Sequence, residues 1–170
     1  SGIALWLGIT QAKIYISSLW IRFMPHFGIV DISRMNGIPD KGMSITLPSG
    51  NKLRCLPSHF MHSPGQFSLF DECSRILFSG DIGAAVFEKE EDETLFIDDF
   101  QQHIPLIEPF HIRYMASNKV VKRWVDTVRR LNPEIIAPQH GAVYTDTKVE
   151  LFLNWLSQLQ CGVDYIDRLF

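Results

Sequence analysis

The chain has 170 residues, of which 46% are apolar and 21% charged, a composition typical of one globular domain. Its formal net charge of −3 gives no field that would attract nucleic acid, and no stretch reaches the roughly 18 to 20 apolar residues of a membrane span. We therefore expect neither nucleic acid nor a membrane as a partner. The three cysteines lack CxxC spacing, which argues against a disulfide framework and favours the cytoplasm.

The first part of the chain predicts a helix, a strand, a long connection and a hairpin. The apolar run Ile3–Ile9 predicts a short, deeply packed helix, and the β-rich segment 12–17 predicts a strand. Proline and glycine recur through residues 18–42, which favours a connection with local turns over a regular element. The segment 43–56, "MSITLPSGNKLRCL", then predicts two antiparallel strands joined by a turn.

The last part of the chain predicts helices around a short strand. The charged run "EKEEDE" at 88–93 predicts a solvated surface loop. Apolar residues at helical spacing predict an amphipathic helix over 117–131, with a serine N-cap at its start. "EIIA" at 134–137 predicts a buried strand, and Thr147 with Glu150 predicts a capping box that opens a final helix. This order predicts an α/β (α+β) fold in which helices pack on a sheet.

A second predicted hairpin, "HSPGQFSLFDECSRILFSGD" at 62–81, begins on a histidine and ends on an aspartate. The "SPGQ" tetrapeptide suits a type II turn, which would hold His62 at a rigid corner. With Asp71–Ser74 as the hairpin loop, Asp81 lies opposite Pro64 and therefore beside His62. The hairpin is thus expected to deliver both side chains to one place.

A second strand end, "IIAPQHG", presents His140 in the same manner. A buried strand meets a proline that cannot continue the ladder, and a glycine after the histidine permits a sharp turn. Imidazole nitrogen and carboxylate oxygen suit zinc, iron or manganese, and one carboxylate can bridge two ions. His62, Asp81 and His140 are therefore candidate metal ligands. The alternative stays open, because histidine and aspartate are also common in turns that bind no metal.

Two further histidines receive different expectations. His59 lies three residues before His62, and on an extended strand such residues point to opposite faces, so direct ligation by both needs a kink. We favour a hydrogen bond from His59 to the site over ligation. His103 follows the polar segment "DDFQQ", and we expect it to be an ordinary exposed side chain in a loop.

Aromatic residues surround the remaining candidates. His111 and Tyr114, within "EPFHIRYM", are possible pocket residues on the substrate side of the site. Phe60, Phe67 and Phe110 are mostly expected in the core, although they could also build a dry pocket for a small apolar gas. No residue is assigned a catalytic role.

The order and turn chemistry of "HSPG", "LFSGD" and "PQHG" resemble the metallo-β-lactamase superfamily. The segments "LPSHFMHSPGQFSLFD", "ILFSGDIGAAVF" and "HIRYMASNK" resemble its diiron branch, the lactamase-like domain of flavodiiron proteins and of oxygen-binding diiron proteins. The resemblance covers nearly the whole chain. It implies that His62 ligates one iron, Asp81 bridges both irons and His140 ligates the other. It also implies an αββα sandwich.

One departure from the superfamily is that its HxHxDH or HxExDH ligand run is absent from residues 1–170. In many relatives that run precedes "SG" and an apolar helix, so we expect one partial domain, the C-terminal two-thirds of the sandwich, that begins just after it. Two iron ions, with zinc or manganese as alternatives, are expected in the full-length protein, and an incomplete or absent centre in this chain. An uncovered sheet edge would favour a homodimer.

The resemblance implies a non-haem diiron domain that binds or senses dioxygen, as the sensor part of a larger signalling protein. One alternative is the dioxygen or nitric oxide reductase core of a flavodiiron protein, which a flavodoxin-like region in the full-length gene would favour. Another is a zinc-dependent hydrolase that acts through a metal-activated hydroxide. Metal analysis separates the last alternative from the other two.

Overall fold

The computed structural model describes residues 2–29, 31–87 and 94–168. The helices are α1 Ile3–Ile9, α2 Ser18–Ile21, α3 Phe100–Tyr114, α4 Asn118–Leu131 and α5 Thr147–Gln158, with 3-10 turns at Met24–Phe27 and Gly162–Arg168. The strands are β1 Ile14–Ser17, β2 Met35–Ile38, β3 Met43–Thr46, β4 Lys52–Pro57, β5 Phe67–Asp71, β6 Ile76–Gly80, β7 Ile135–Pro138 and β8 Tyr144–Thr145. The predicted loop at 88–93 lies outside the described residues. Within the described ranges, the helices are all too short or too polar to span a bilayer.

Six strands form the larger sheet, in the order β3-β4-β5-β6-β7-β8. Strands β3 to β6 are antiparallel neighbours, β6 and β7 are parallel with α3 and α4 in the crossover, and β8 returns antiparallel to β7. Strands β1 and β2 form a separate parallel pair. This mixture of helices and sheets confirms the predicted fold class.

The topology brings three chain segments to one edge of the larger sheet. Because β6 and β7 are parallel, both strands end at that edge. Because β5 is antiparallel to β6, β5 begins there. The segments that lead into β5 and out of β6 and β7 therefore meet, and they carry His62, Asp81 and His140 respectively.

One face of the larger sheet packs against the C-terminal helices. Because successive side chains of a strand point to opposite faces, alternate strand residues are buried there. Ser68 and Phe70 on β5 are buried, whereas their neighbours are half-buried. On this face the Trp124 Nε1 of α4 donates a hydrogen bond of 3.1 Å to Ser68 Oγ. The other face borders a cavity of about 500 Å³ that is shared with β1 and β2. The site edge is thus supported by a core on its helical side.

The N-terminal region departs from two predictions. Helix α1 forms as predicted, but it contains no buried residue, and Leu5, Trp6 and Ile9 are 74%, 62% and 78% exposed. The predicted deep packing is wrong because an apolar run is buried only where another layer covers it. The connection over 18–42 contains α2, a 3-10 turn and β2, since pairing with β1 organises a segment without its own periodicity.

The hairpin between β5 and β6 forms two residues out of the predicted register. Asp71 pairs with Ile76, so the loop is Glu72–Arg75 instead of Asp71–Ser74. The Asp71 carboxylate accepts hydrogen bonds from Cys73 N (2.9 Å) and Ser74 Oγ (2.7 Å) and so fixes the turn from its last strand position. A shift of two residues keeps every side chain on its predicted face, so the convergence of the strand ends survives.

A third difference is α3, which occupies the segment predicted as a polar loop. Its N-cap is Asp99, whose Oδ1 accepts hydrogen bonds from Gln101 N (2.8 Å) and Gln102 N (3.4 Å). Two internal prolines argue against a helix in the sequence, yet packing on the core overrides that local signal. The expectation that His103 is an exposed loop residue is wrong, because it lies on α3 and is 6% exposed.

The last two helices follow the sequence more closely. Helix α4 is confirmed, with Ser117 at the N-cap position, although its side chain makes no capping hydrogen bond. Helix α5 begins at Thr147 with Asp146 as its N-cap, so the predicted capping box is wrong by one residue. The chain turns into α5 through Asp146 at φ +52°, which places Thr147 inside the first turn instead of at the cap.

Candidate metal centre

His62 sits in the segment that joins β4 to β5, residues 58–66, here called the His62 corner. Gly65 has φ +78°, as the third position of a type II turn requires. A Cβ at Gly65 would lie 2.7 Å from Trp20 Nε1, and the same indole nitrogen donates a hydrogen bond of 3.0 Å to Pro64 O. The turn before β5 is therefore pinned against α2, which fixes where the corner turns.

The His62 imidazole lies against two aromatic rings of α3. It is stacked on Phe110, with ring centroids 5.7 Å apart and planes 13° apart, and it lies 5.3 Å from the Tyr114 ring. Phe110 and Tyr114 stack on each other at 4.8 Å. These contacts restrict rotation of the imidazole while leaving the His62 side chain 36% exposed. The ring is therefore oriented but accessible.

Asp81 begins the segment that leaves β6, residues 81–85, here called the Asp81 loop. Its carbonyl accepts a hydrogen bond of 3.1 Å from Ala84 N, which closes a tight turn. Gly83, within that turn, has φ +101°. Gly83 N donates to His111 Nε2 at 2.8 Å, and Gly83 O accepts from the Tyr144 hydroxyl at 3.1 Å. Buried side chains thus hold both backbone groups of one loop residue.

His140 lies in the segment that leaves β7, residues 139–142, here called the His140 loop. Gln139 N donates to Gly80 O at 2.7 Å, and Ala85 N donates to the His140 carbonyl at 3.3 Å. Gly141 has φ +105°, and a Cβ there would lie 2.7 Å from Ala85 N. The absence of a side chain at position 141 therefore permits the two loops to touch.

The three predicted ligands converge on one carboxylate. His62 Nδ1 lies 3.7 Å from Asp81 Oδ2, and His140 Nε2 lies 3.9 Å from Asp81 Oδ1. Both distances are too long for a hydrogen bond. They suit a metal ion between each pair, because ligand bonds of about 2.0 to 2.2 Å put two ligand atoms on one ion roughly 3 to 4 Å apart. The donor set therefore fits two ions that share Asp81.

The donor set is sparse for two ions. Each of the two positions would receive one imidazole nitrogen and one carboxylate oxygen from these residues. Across residues 2–29, 31–87 and 94–168, three or more His, Cys, Asp or Glu side chains nowhere gather closely enough to hold a single ion. Further ligands are needed before either ion has an ordinary coordination number.

The other predicted pocket residues separate into two groups. Tyr114 packs on His62, so it lines the site. His59 does not join the three ligands: its Nε2 lies 2.8 Å from the Asp40 carbonyl oxygen, and its ring meets the edge of Phe67. The expected hydrogen bond from His59 to the site is therefore made to another part of the fold.

His111 lies in the interior behind the site and not on its open side. It is fully buried, with Nδ1 2.7 Å from Ile107 O and Nε2 bonded to Gly83 N. Burial lowers the pKa of the His111 imidazole from 6.5 to about 4, and the bond to Ile107 opposes this only partly. His111 is consequently neutral near pH 7.

Sequence reasoning missed the supports of the Asp81 loop. Neither Gly83 nor Tyr144 was a candidate, because nothing in the local pattern ties a glycine in "GDIGA" to a tyrosine in a distant strand. One signal could have led to α3: Asp99 is a suitable N-cap, and Ile107, His111 and Met115 recur four residues apart.

A cavity of about 550 Å³ lies beside His140. Its lining combines the polar Gln139 and His140 with apolar residues from the segment after Asp81, including Phe87, and with Phe110 from α3. A small ligand that enters this cavity would contact both His140 and the rings of Phe87 and Phe110.

Comparison with known proteins yields a family and close structural relatives. Residues 1–141 match the family described as ODP family beta lactamase. The chain is 71% identical to the protein in a structure described as "Peroxy diiron species of chemotaxis sensor ODP", with a TM-score of 0.92 over 99% of this chain and 69% of that chain. It is 72% identical to the apo state of chemotaxis sensor ODP from T. denticola, with a TM-score of 0.91 over 99% and 68% of the two chains.

A more distant likeness concerns the fold alone. The rubredoxin oxygen:oxidoreductase of Desulfovibrio gigas is 17% identical, with a TM-score of 0.79 over 92% of this chain and 40% of that chain. Among curated protein sequences, none matches this chain. The family and the structural relatives confirm the resemblance to the diiron branch. Since the family match spans more than half of the chain, the chain belongs to the ODP family of beta-lactamase-like proteins.

Proposed function

We propose that this chain carries part of a non-haem diiron centre that binds dioxygen, within the sensor region of a larger signalling protein. The observation that carries the proposal is that the two oxygens of Asp81 face two different histidines. The 71% identical chemotaxis sensor, described with a peroxy diiron species, supports iron as the metal and dioxygen as the ligand.

Each of the three residues has a distinct part in the proposal. His62 would hold one iron, His140 the other, and Asp81 would join them through its two oxygens. A pair of ferrous ions supplies the electron density that dioxygen needs in order to bind. The stacking of Phe110 and Tyr114 on His62 would keep that imidazole aimed at its ion.

The remaining ligands would come from a segment that precedes this chain, and residues 1–170 would then be one partial domain. Support for this comes from the deficit of donors, since each ion would receive two protein ligands here. Water can complete the shells only at a loss of affinity, because it supplies no negative charge and no chelate. We therefore expect weak metal binding by this chain alone.

The cavity beside His140 would select the ligand. Its lining joins the apolar rings of Phe87 and Phe110 to the polar Gln139 and His140, which suits a small uncharged molecule that also meets the metal site, dioxygen first and nitric oxide second. The 71% identity to a chemotaxis sensor supports binding without turnover over a reductase.

The test uses the full-length protein, loaded with ferrous iron without air. We expect about two irons per chain and a visible absorption band that appears when dioxygen is added. Asp81→Asn should lose both irons, because an amide offers one neutral oxygen in place of two shared charged ones. Asp126→Asn, an exposed residue of α4, is the matched control and should retain them.

Three outcomes would contradict the proposal. Retention of two irons by Asp81→Asn would remove Asp81 from the site. Zinc in place of iron, together with ester hydrolysis, would favour the hydrolase alternative. Steady consumption of dioxygen or nitric oxide with a flavin reductant would favour the reductase alternative.

We also propose that the protein forms a homodimer through the exposed apolar side chains of α1, which include Leu5, Trp6 and Ile9. Light scattering of the full-length protein should report a dimer, and Trp6→Gln should weaken it. A monomer whose Trp6 fluorescence indicates burial would mean that another part of the same chain covers α1.

A cytoplasmic location is the last part of the proposal. The three cysteines, Cys55, Cys73 and Cys161, are all free thiols, as a reducing compartment allows. Cys73 is exposed, so a maleimide reagent should label it at once in freshly broken cells. Labelling only after chemical reduction would contradict this location.

A further inference from the structure

Helix α3 contacts both segments that carry the proposed ligands. Phe110 and Tyr114 pack against the His62 imidazole, as described above. The next residue after Phe110, His111, points into the interior and binds the Asp81 loop. One helix turn therefore connects the two sides of the proposed centre.

The hydrogen bonds of His111 define its tautomer. Its Nδ1 lies 2.7 Å from Ile107 O, which can only accept, so Nδ1 carries the proton. Its Nε2 lies 2.8 Å from Gly83 N, which can only donate, so Nε2 is the acceptor. The imidazole thus fits this place as a neutral ring with one donor and one acceptor, a combination that no apolar side chain offers.

The hydrogen bond between Gly83 and His111 can fix the position of Asp81 because the two loop residues are close in the chain. Gly83 is two residues after Asp81, and the Asp81 carbonyl accepts the next hydrogen bond, from Ala84 N. On its other side Gly83 O accepts from Tyr144, whose ring would lie 3.0 Å from a Cβ at position 83. Gly83 is thus held between two fully buried side chains, so the peptides on either side of it have little freedom to rotate.

The same helix grips the chain again just after the loop. Val86 N donates a hydrogen bond of 2.9 Å to Leu106 O of α3. The segment from Gly83 to Val86 is thus attached to α3 at two points, and Ala85 between them donates to the His140 carbonyl. A shift of α3 would therefore move the Asp81 loop and, through Ala85, the His140 loop together.

We propose that His111 is a positioning residue of the metal centre: by accepting the Gly83 N–H, it holds the Asp81 carboxylate where its two oxygens face His62 and His140. This inference rests on the proposed function. It predicts that metal affinity depends on the acceptor at position 111, although His111 touches no metal. Partners that orient ligands in this way typically change metal affinity by roughly 10-fold to 100-fold.

The test compares two substitutions of His111 in the full-length protein. His111→Leu removes the acceptor and should lower ferrous iron affinity roughly 10-fold to 100-fold. His111→Gln places an amide oxygen near the position of Nε2, so it should restore affinity to within about threefold of the native protein. A visible spectrum altered in the Leu variant and restored in the Gln variant is the second expected result.

Hydrogen exchange provides a readout that needs no metal. In the metal-free protein the Gly83 amide should exchange at least about tenfold faster in His111→Leu than in the native protein, with His111→Gln in between. Should His111→Leu fail to fold, Tyr144→Phe loosens the same residue from its other side and should speed exchange and lower iron affinity in the same direction.

His103→Leu is the matched control, because His103 is the other buried histidine of α3. Among the described residues its Nε2 has no hydrogen-bond partner, so the change removes a buried imidazole without breaking a bond to the loop. Iron affinity should stay within about threefold of the native value, since no ligand-orienting bond is lost.

Specific results would overturn the inference. A folded His111→Leu protein with native iron affinity and native Gly83 exchange would do so, as would an equal loss of affinity in His103→Leu. If the native full-length protein binds no iron, the proposed function fails. Exchange at Gly83 then still decides whether His111 orders the Asp81 loop.

Discussion

The two sides of the candidate centre are held by different kinds of interaction. The Asp81 and His140 loops are joined by backbone hydrogen bonds, and buried side chains hold Gly83. The His62 corner depends on a glycine turn pinned by Trp20 and on aromatic stacking against α3. Backbone bonds in the interior are directional and costly to break, whereas stacked rings tolerate sliding. We therefore expect the first side to be preorganised and the second to be adjustable.

The largest predicted effect is a loss of stability at low pH, because protonation of His111 removes the hydrogen-bond acceptor that supports the Asp81 loop. Burial lowers the pKa of His111 to about 4 in the folded protein, from the ordinary 6.5. As pH falls, the His111 imidazole takes up a proton in the unfolded chain before it does so in the folded protein. The contribution of His111 to the free energy of unfolding is therefore complete above pH 6.5 and is lost on approach to pH 4. The loss amounts to roughly 3 kcal/mol of the free energy of unfolding.

Urea unfolding of the metal-free protein at about pH 7, 5.5 and 4.5 measures this loss. Burial also lowers the pKa of His103, so the native protein should lose stability from both histidines. The difference between the native protein and His111→Gln isolates His111. An identical pH dependence in the two proteins would mean that His111 is not held neutral.

The second prediction compares the glycines of the two sides. Gly141→Ala should lower the free energy of unfolding by roughly 2 to 3 kcal/mol, because φ is +105° and the new Cβ meets the backbone N of Ala85 at 2.7 Å. Gly65→Ala should lower it by roughly 1 to 2 kcal/mol, because its new Cβ meets Trp20 and Ser17 side chains, which can move.

Gly50→Ala is the control for backbone conformation alone. Gly50 has φ +89° but faces open space, so only the cost of roughly 1 kcal/mol for a left-handed residue remains. Urea midpoints of the three metal-free variants provide the ranking. A greater loss from Gly65→Ala than from Gly141→Ala would reverse the proposed contrast between the two sides.

The smallest predicted effect concerns the ring stack on His62. Phe110→Leu should lower the free energy of unfolding by about 1 kcal/mol, since Phe110 stacks on both His62 and Tyr114. In the full-length protein it should also speed iron release, because the imidazole gains rotational freedom. Phe27→Leu, at a 62% exposed site, should change stability by less than about 0.5 kcal/mol. Equal effects of the two substitutions would argue against a role for the stack.

Local chemistry explains why the three candidate ligands could be singled out from the sequence. "SPGQ" and "PQHG" each place a histidine next to a turn, and Gly65 and Gly141 adopt the positive φ that those turns need. Strand alternation placed β5 and β6 on the correct faces even though the loop was predicted one residue early and the pairing was therefore two residues out of register. A shift of an even number of residues does not change which face a side chain occupies.

Helix α3 and its contacts could not be obtained in this way. Pro105 and Pro109 oppose a helix locally, and only packing on the core compensates for the hydrogen bonds they remove. As a result, the sequence interpretation placed His103 in solvent and His111 on the open side of the site. The structure buries both histidines on the inner face of one helix.

The turns, the faces of the strands and the residue types of the candidate ligands can be read from short stretches of the sequence, because each depends on residues within a few positions of one another. Tertiary structure decides that Asp81 lies between His62 and His140, because that meeting needs β5, β6 and β7 to share one edge. It also decides that His111 supports Gly83. Contacts between distant segments follow from burial of the whole sheet, and no short stretch of sequence encodes that burial.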